Sequence, residues 1–165
     1  MSEKEELRVK KIKDGTVIDH IYAGHALDVL NILGITGHEG YVLSIVMNVP
    51  SHLLGRKDIV KIEGRELNPE ELDKIALISP RATINIIRDF LVVGKQRVKL
   101  PKVMKGILKC ANPTCITNSS EPLESIFNIE DEDPQKLRCY FCNRTMNHSD
   151  LLKQISAELF SRLNQ

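Results

Sequence analysis

All four cysteines of the 165-residue chain, Cys110, Cys115, Cys139 and Cys142, fall in its last third. They are spaced Cys-x4-Cys, 23 residues, then Cys-x2-Cys. Zinc in a structural site takes four thiolate or imidazole ligands in a tetrahedron, and two turns about 20 residues apart, each carrying two ligands, supply them. Pro113 and Asn143 are turn residues beside these knuckles. The segment between is expected to fold as a small antiparallel sheet, Leu123 to Ile129 against Leu137 to Phe141. A unit this small buries too little surface to hold itself together, so metal binding supplies its folding energy. The expectation is one structural zinc per chain, with no open coordination position and hence no catalytic role. Cys139-Tyr140-Phe141-Cys142 alone would suit a redox pair, but the second pair argues against that reading. His148 is read as a surface histidine ahead of the last helix rather than a fifth candidate ligand.

Charge narrows the partners. Lys and Arg number 23 against 22 Asp and Glu, and the formal net charge is +1. Nucleic-acid binders carry a basic excess, and stacking on bases needs aromatics; here there is no Trp, with three Tyr and four Phe. Four thiolates and one Zn²⁺ add two negative charges to the cysteine-bearing part, which favours a protein surface over phosphates as its partner. A zinc-ribbon nucleic-acid-binding protein is the alternative reading. No stretch approaches the roughly 18 apolar residues that span a bilayer. Met1 to Glu6 carry no apolar run of the kind a secretory signal needs. A cytoplasmic protein with no membrane partner is expected.

The first hundred residues read as a mixed α+β domain. Leu7 to Ile12 nearly alternate and suggest a strand, and Asp14-Gly15 a turn. Thr16 to Ile21 are β-branched and extended. Ala23, Ala26, Leu27, Leu30 and Leu33 recur at helical spacing, and Gly34 follows as a cap. Tyr41 to Val49 is a strand run closed by Pro50, and Lys57 to Glu63 another with a charged face. Asn68, Pro69 and Glu71 form an N-terminal signature for a helix that stops at Pro80. Thr83 to Val93 is read as a last strand region. The order is β-α-β-β-α-β with an extra extended piece, a ferredoxin-like pattern. Residues 96–105 look like a short basic linker. Beyond it come a polar stretch from Thr117 to Ser120, an acidic loop from Glu130 to Pro134, and an amphipathic helix capped by Ser149 or Asp150. The division expected is 1–98 and 102–165.

No GxGxxG, Walker or HExxH motif occurs, so nothing points to an enzyme. Lys57 and Lys61, four apart on one strand, share a face. Lys95 ends another strand, and Asp19-His20 lies on the extended piece. Such a set can hold a phosphate with a ribose or base, although charged strand positions are usually just the solvated face.

The strings Asp14 to Ile21, Gly55 to Glu63, Ala82 to Asn85 and Val92 to Lys95, with the cysteine spacing, resemble the regulatory chain of aspartate carbamoyltransferase over about residues 7–150. The resemblance implies a non-catalytic subunit in pyrimidine biosynthesis. Its first domain would bind the nucleotide effectors CTP, ATP and UTP, and its zinc domain would dock on a catalytic chain. Regulatory homodimers would join catalytic trimers in a dodecamer. Matched by motif, Lys57 and Lys95 would meet phosphates. Lys61 and Asp19, with His20 alongside, would meet the ribose. Val9, Lys10, Lys11 and Ile12 would line the base, and Asn85, Ile87, Phe90 and Val92 are further pocket positions. Phe90 stands where the family shows Tyr, and Lys10 where it also shows an acid. Asn112 matches a catalytic-chain contact; Thr114 and Asn143 depart from Asn and Glu at two others. Residues 151–165 extend beyond the bacterial pattern.

Overall fold

The computed structural model describes residues 10–121 and 123–163, with side chains to Glu158. The first part runs β1 (Gly15–Tyr22), α1 (Ala26–Ile32), β2 (Leu43–Ser51), β3 (Gly55–Glu63), α2 (Pro69–Ile78), β4 (Thr83–Arg88) and β5 (Leu91–Arg97). These strands form one antiparallel sheet in the order β2-β3-β1-β4-β5. Its first four neighbours have the ferredoxin-like arrangement, and β5 adds an outer strand. The second part runs β6 (Val103–Lys105), β7 (Ile126–Glu132), β8 (Gln135–Cys139), β9 (Thr145–Asn147) and α3 (His148–Leu163), with a four-stranded antiparallel sheet in chain order.

Alternation along the strands separates two faces. Ile18 pairs with Val60 and Ile84 and all three are buried, as are Val29, Leu30, Ile75 and Ala76 of the helices. The neighbouring register row runs Lys61–Val17–Asn85–Lys95 and therefore belongs to the other face. Helix α2 starts as its sequence dictates. Glu71 N–H donates to Asn68 Oδ1 and Asn68 N–H to Glu71 Oε2, both at 2.9 Å, with Pro69 at the first helical position. Helix α1 has no side-chain cap of its own. The buried Asp58 of β3 takes its place, accepting N–H bonds from Gly24 and Ala26 at 2.9 and 3.0 Å, and a third from Asn48 at 2.8 Å.

Several sequence expectations change. Residues 7–9 of the proposed first strand lie outside the described residues, and Lys10 to Ile12 carry no regular structure. The extended piece after them is itself the first strand. Thr83 to Val93 is not one strand but most of a hairpin. Asp89 and Phe90 turn it, both at positive φ (50° and 64°). Pro50 does not close β2; it sits inside it, opposite Arg56, which is tolerable because β2 is an edge strand. The linker is shorter than 96–105: β5 runs to Arg97, Val98 and Leu100 are buried, and β6 begins at Val103. The cap of α3 is Asn147, in a reciprocal pair of 3.0 Å bonds with Asp150. The buried apolar residues form one cluster through both parts, because α3 packs on α1 and α2 and contributes Leu151 and Ile155. Among the described residues, no helix is long and apolar enough to cross a membrane.

Candidate functional site

The cysteine knuckles converge. The four Sγ atoms of Cys110, Cys115, Cys139 and Cys142 lie within 4.8 Å of one another. Cys110 and Cys142 are 3.4 Å apart, and Cys115 and Cys139 3.8 Å. Four sulfurs about 2.3 Å from a tetrahedral ion are about 3.8 Å from each other, so the cluster has the dimensions of a four-thiolate metal site. Its turns are held locally. Asn112 N–H points at Cys110 Sγ (3.5 Å), and Asn112 Oδ1 accepts from Thr114 N–H and Oγ1 at 3.1 and 2.9 Å. Asn118 Nδ2 donates to the carbonyls of Cys110 and Asn112, and Thr117 Oγ1 to Cys115 Sγ at 3.2 Å. At the second knuckle Asn143 takes a positive φ of 61°, a conformation Asn tolerates, and its N–H donates to Cys139 O. Burial raises the Cys110 thiol to about 12, so a cation must displace its proton to gain the thiolate. Soft, preorganised and mostly buried donors of this number fit a structural transition metal, and no fifth position is left for a substrate.

On the other face of the first sheet, a cavity of about 230 Å³ is lined by Lys11, Ile12, Val17, Lys61, Asn85, Ile87, Phe90 and Val92. Seven of these are among the residues singled out in the sequence. Lys10 borders it through its carbonyl, which accepts from Lys61 Nζ at 3.2 Å. Lys95 does not line the cavity; it stands exposed beside Asn85 in the same register row. Asp19, His20 and Lys57 form a second group. Lys57 Nζ is 2.8 Å from Asp19 Oδ1, His20 N–H donates to the same oxygen, and His20 Nδ1 is 2.9 Å from Thr83 Oγ1. His20 is at a β-bulge with φ 55°. Lys57 is thus already paired with a carboxylate. Val9 lies outside the described residues.

Two residues were missed. Val17 precedes the buried Ile18, so alternation alone places it beside Asp19 on the cavity face. Asp58 read as one more charge on a solvated strand, and no local signal distinguishes it. Asn112, Thr114 and Asn143 all sit on the knuckle turns, the last two exposed. His148 is not the surface residue expected: it opens α3 and its Nδ1 is buried.

The geometry defines a two-part chain: a ferredoxin-like sheet with a cavity on its helix-free face, and a small sheet built around a metal-binding cysteine cluster. Comparison with known proteins sharpens this. Residues 7–99 match the family model described as aspartate carbamoyltransferase regulatory chain, allosteric domain, and residues 102–152 the model of its metal binding domain. Proteins named aspartate carbamoyltransferase regulatory chain are similar along nearly their full length. The one from Korarchaeum cryptofilum is 56% identical over 154 residues, covering 93% of this chain and 98% of the relative. Those from Hyperthermus butylicus and Methanothermobacter thermautotrophicus are 55% and 54% identical over 151 and 149 residues, covering 91% and 90% of this chain and 94% and 95% of theirs. The chain belongs to the aspartate carbamoyltransferase regulatory chain family, whose members are regulatory rather than catalytic subunits.

Proposed function

We propose that the chain binds nucleoside triphosphates, CTP, ATP and UTP, on the open face of the first sheet and transmits their binding to catalytic chains of aspartate carbamoyltransferase. The observation that carries this is the cavity with its row of cations: an apolar slot between Ile12, Val17, Ile87, Phe90 and Val92, with Lys61 at its wall and Lys95 three strands along on the same face. A base fits the slot. The ribose lies toward Lys61 and Asp19, and the phosphates toward Lys95, with Lys57 reaching them once it exchanges Asp19 for a phosphate oxygen. Residues 1–98 are the effector-binding domain and residues 102–165 the docking domain.

Cys110, Cys115, Cys139 and Cys142 hold zinc, one ion per chain. When bound, it supplies four strong bonds that tie the two knuckles together. The exposed knuckle turns, with Asn112, Thr114 and Asn143, present the surface for the catalytic chain. A second regulatory chain pairs along the open edge of β2, where Tyr41, Val42, Ile45 and Met47 are exposed, and dimers join catalytic trimers in a cytoplasmic dodecamer. Effectors act by linkage: a nucleotide shifts the assembly only by its differential affinity for two quaternary states, typically about 1–3 kcal/mol. Calorimetric titration of the purified chain with CTP and ATP tests the reading. Binding that is weakened in both Lys61→Ala and Lys95→Ala supports it; absence of binding to the unsubstituted chain overturns it.

A further inference from the structure

The two sheets meet along a polar seam. Tyr22, the last residue of β1, donates its hydroxyl to Asp133 Oδ2 at 2.6 Å, and Arg81 Nε lies 3.5 Å from the same oxygen. Asp133 is in the turn between β7 and β8. Beside this contact the rings of His25, just ahead of α1, and His148, the first residue of α3, stand edge to face with centroids 5.6 Å apart. His25 Nδ1 is 2.9 Å from Asp28 Oδ2. His148 Nδ1 is buried without a hydrogen-bond partner among the described residues, and so is Gln135 Nε2. The ladder pair Lys136–Asn147 places Gln135 next to His148 along the strands.

We propose that the His25–His148 contact is an acid-sensitive latch: neutral His148 keeps α3 docked on α1, and a proton on His148 loosens the second sheet from the first. The reason is what surrounds the ring. Three titratable groups face it: His25 and Asp28 from the α1 side, and Asp133 from the β7–β8 turn. Both acids are engaged elsewhere, Asp28 by His25 and Asp133 by Tyr22 and Arg81. The nearest other buried polar atom without a partner, Gln135 Nε2, is itself a donor. His148 Nδ1 makes no hydrogen bond to an acceptor among the described residues, so a proton on the ring stands unpaired there beside a second imidazole.

Burial, then the neighbouring His25, holds His148 below its ordinary value of 6.5, while the two carboxylates pull the other way. The undocked imidazole binds protons more readily than the docked one. Docking is therefore complete above about pH 6.5 and weakens as the pH falls toward the depressed docked value, by at most tenfold per pH unit for one proton. Coupling between the open face and the cysteine cluster would accordingly be firmer at neutral than at acid pH.

The test uses the full-length, metal-loaded chain. The His148 ring is titrated by proton NMR in the unsubstituted chain and in His25→Gln. Amide-exchange protection in α1 and α3 is followed from pH 7.5 to 5, with and without His148→Gln, while bound metal is measured at each pH. The latch requires three results: His148 titrates below 6.5, His25→Gln moves it upward, and α3 protection falls by up to about tenfold per pH unit with the metal retained, a fall that His148→Gln flattens. Titration at or above 6.5 overturns the proposal. So does a fall in protection that is the same in His148→Gln, or that tracks metal loss. If His148→Gln fails to fold, the two ring titrations still decide it.

Discussion

The two sheets are held together by different means. The first buries Ile18, Ile21, Val29, Val60, Ile62, Ile75, Leu77, Ile78 and Ile84, a full aliphatic layer between strands and helices. The second has Met104, Leu108, Phe127, Leu137 and Met146 as its large buried side chains besides the α3 residues, and around them the cysteines. Burial at about 25 cal/mol per Å² can stabilise a layer like the first. Five such side chains cannot do the same for some fifty residues with long irregular connections, and the metal makes up for the smaller core. Stability in the first sheet is therefore spread over many contacts, and in the second it is concentrated at one point.

Removing that point should have the largest effect on the molecule. Cys139→Ser, or a chelator strong enough to strip the metal, should unfold residues 103–147 and undock α3 while β1 to β5 persist. Structural zinc contributes about 10–16 kcal/mol in small metal domains. Amide exchange on the full chain reads both sheets at once; a protected second sheet in metal-free protein would end the argument. The first sheet has its own concentrated point, smaller in effect. Asp58→Ala leaves the N–H groups of Gly24, Ala26 and Asn48 without their acceptor, that of Ala26 buried, and should cost about 1–3 kcal/mol by chemical denaturation. A loss under about 1 kcal/mol would mean that α1 does not depend on β3 for its cap.

Ligand effects come next. Lys95→Ala should weaken all triphosphates alike, by about 1.5–3 kcal/mol, since phosphates carry no base identity. Lys61→Ala, at the cavity wall, should weaken some nucleotides more than others. Calorimetry with CTP and ATP separates the two, and equal losses for both nucleotides in Lys61→Ala would put the base elsewhere. The smallest effect is Asn68→Ala at the cap of α2, about 1 kcal/mol. A thermal shift in the first sheet that leaves metal affinity untouched would show that the two parts respond separately to small perturbations, despite their shared apolar cluster.

Much of this was legible in the linear chain. The knuckle spacing, the Asn68–Glu71 box and the period of the strands each reflect interactions within a few residues, and such interactions are written in order. The hairpin at Asp89-Phe90 was not legible, because neither residue type announces positive φ in the way glycine does. The motif resemblance marked most cavity residues but passed over Val17, whose role depends on lying between β3 and β4.

The order of residues already dictates that four thiolates meet, that one sheet carries helices on one side, and that lysines stand on strand faces. Which neighbours those groups have is set by the folded arrangement. It placed Lys57 on Asp19, turned Asp58 inward to cap a helix whose first residue lies 32 positions upstream, and set His148 edge to face against His25 across the seam. The physical reason is register. A strand's own residues dictate its alternation, but a shift of one position against its neighbour exchanges its two faces, and that choice is made by the whole sheet closing over its core.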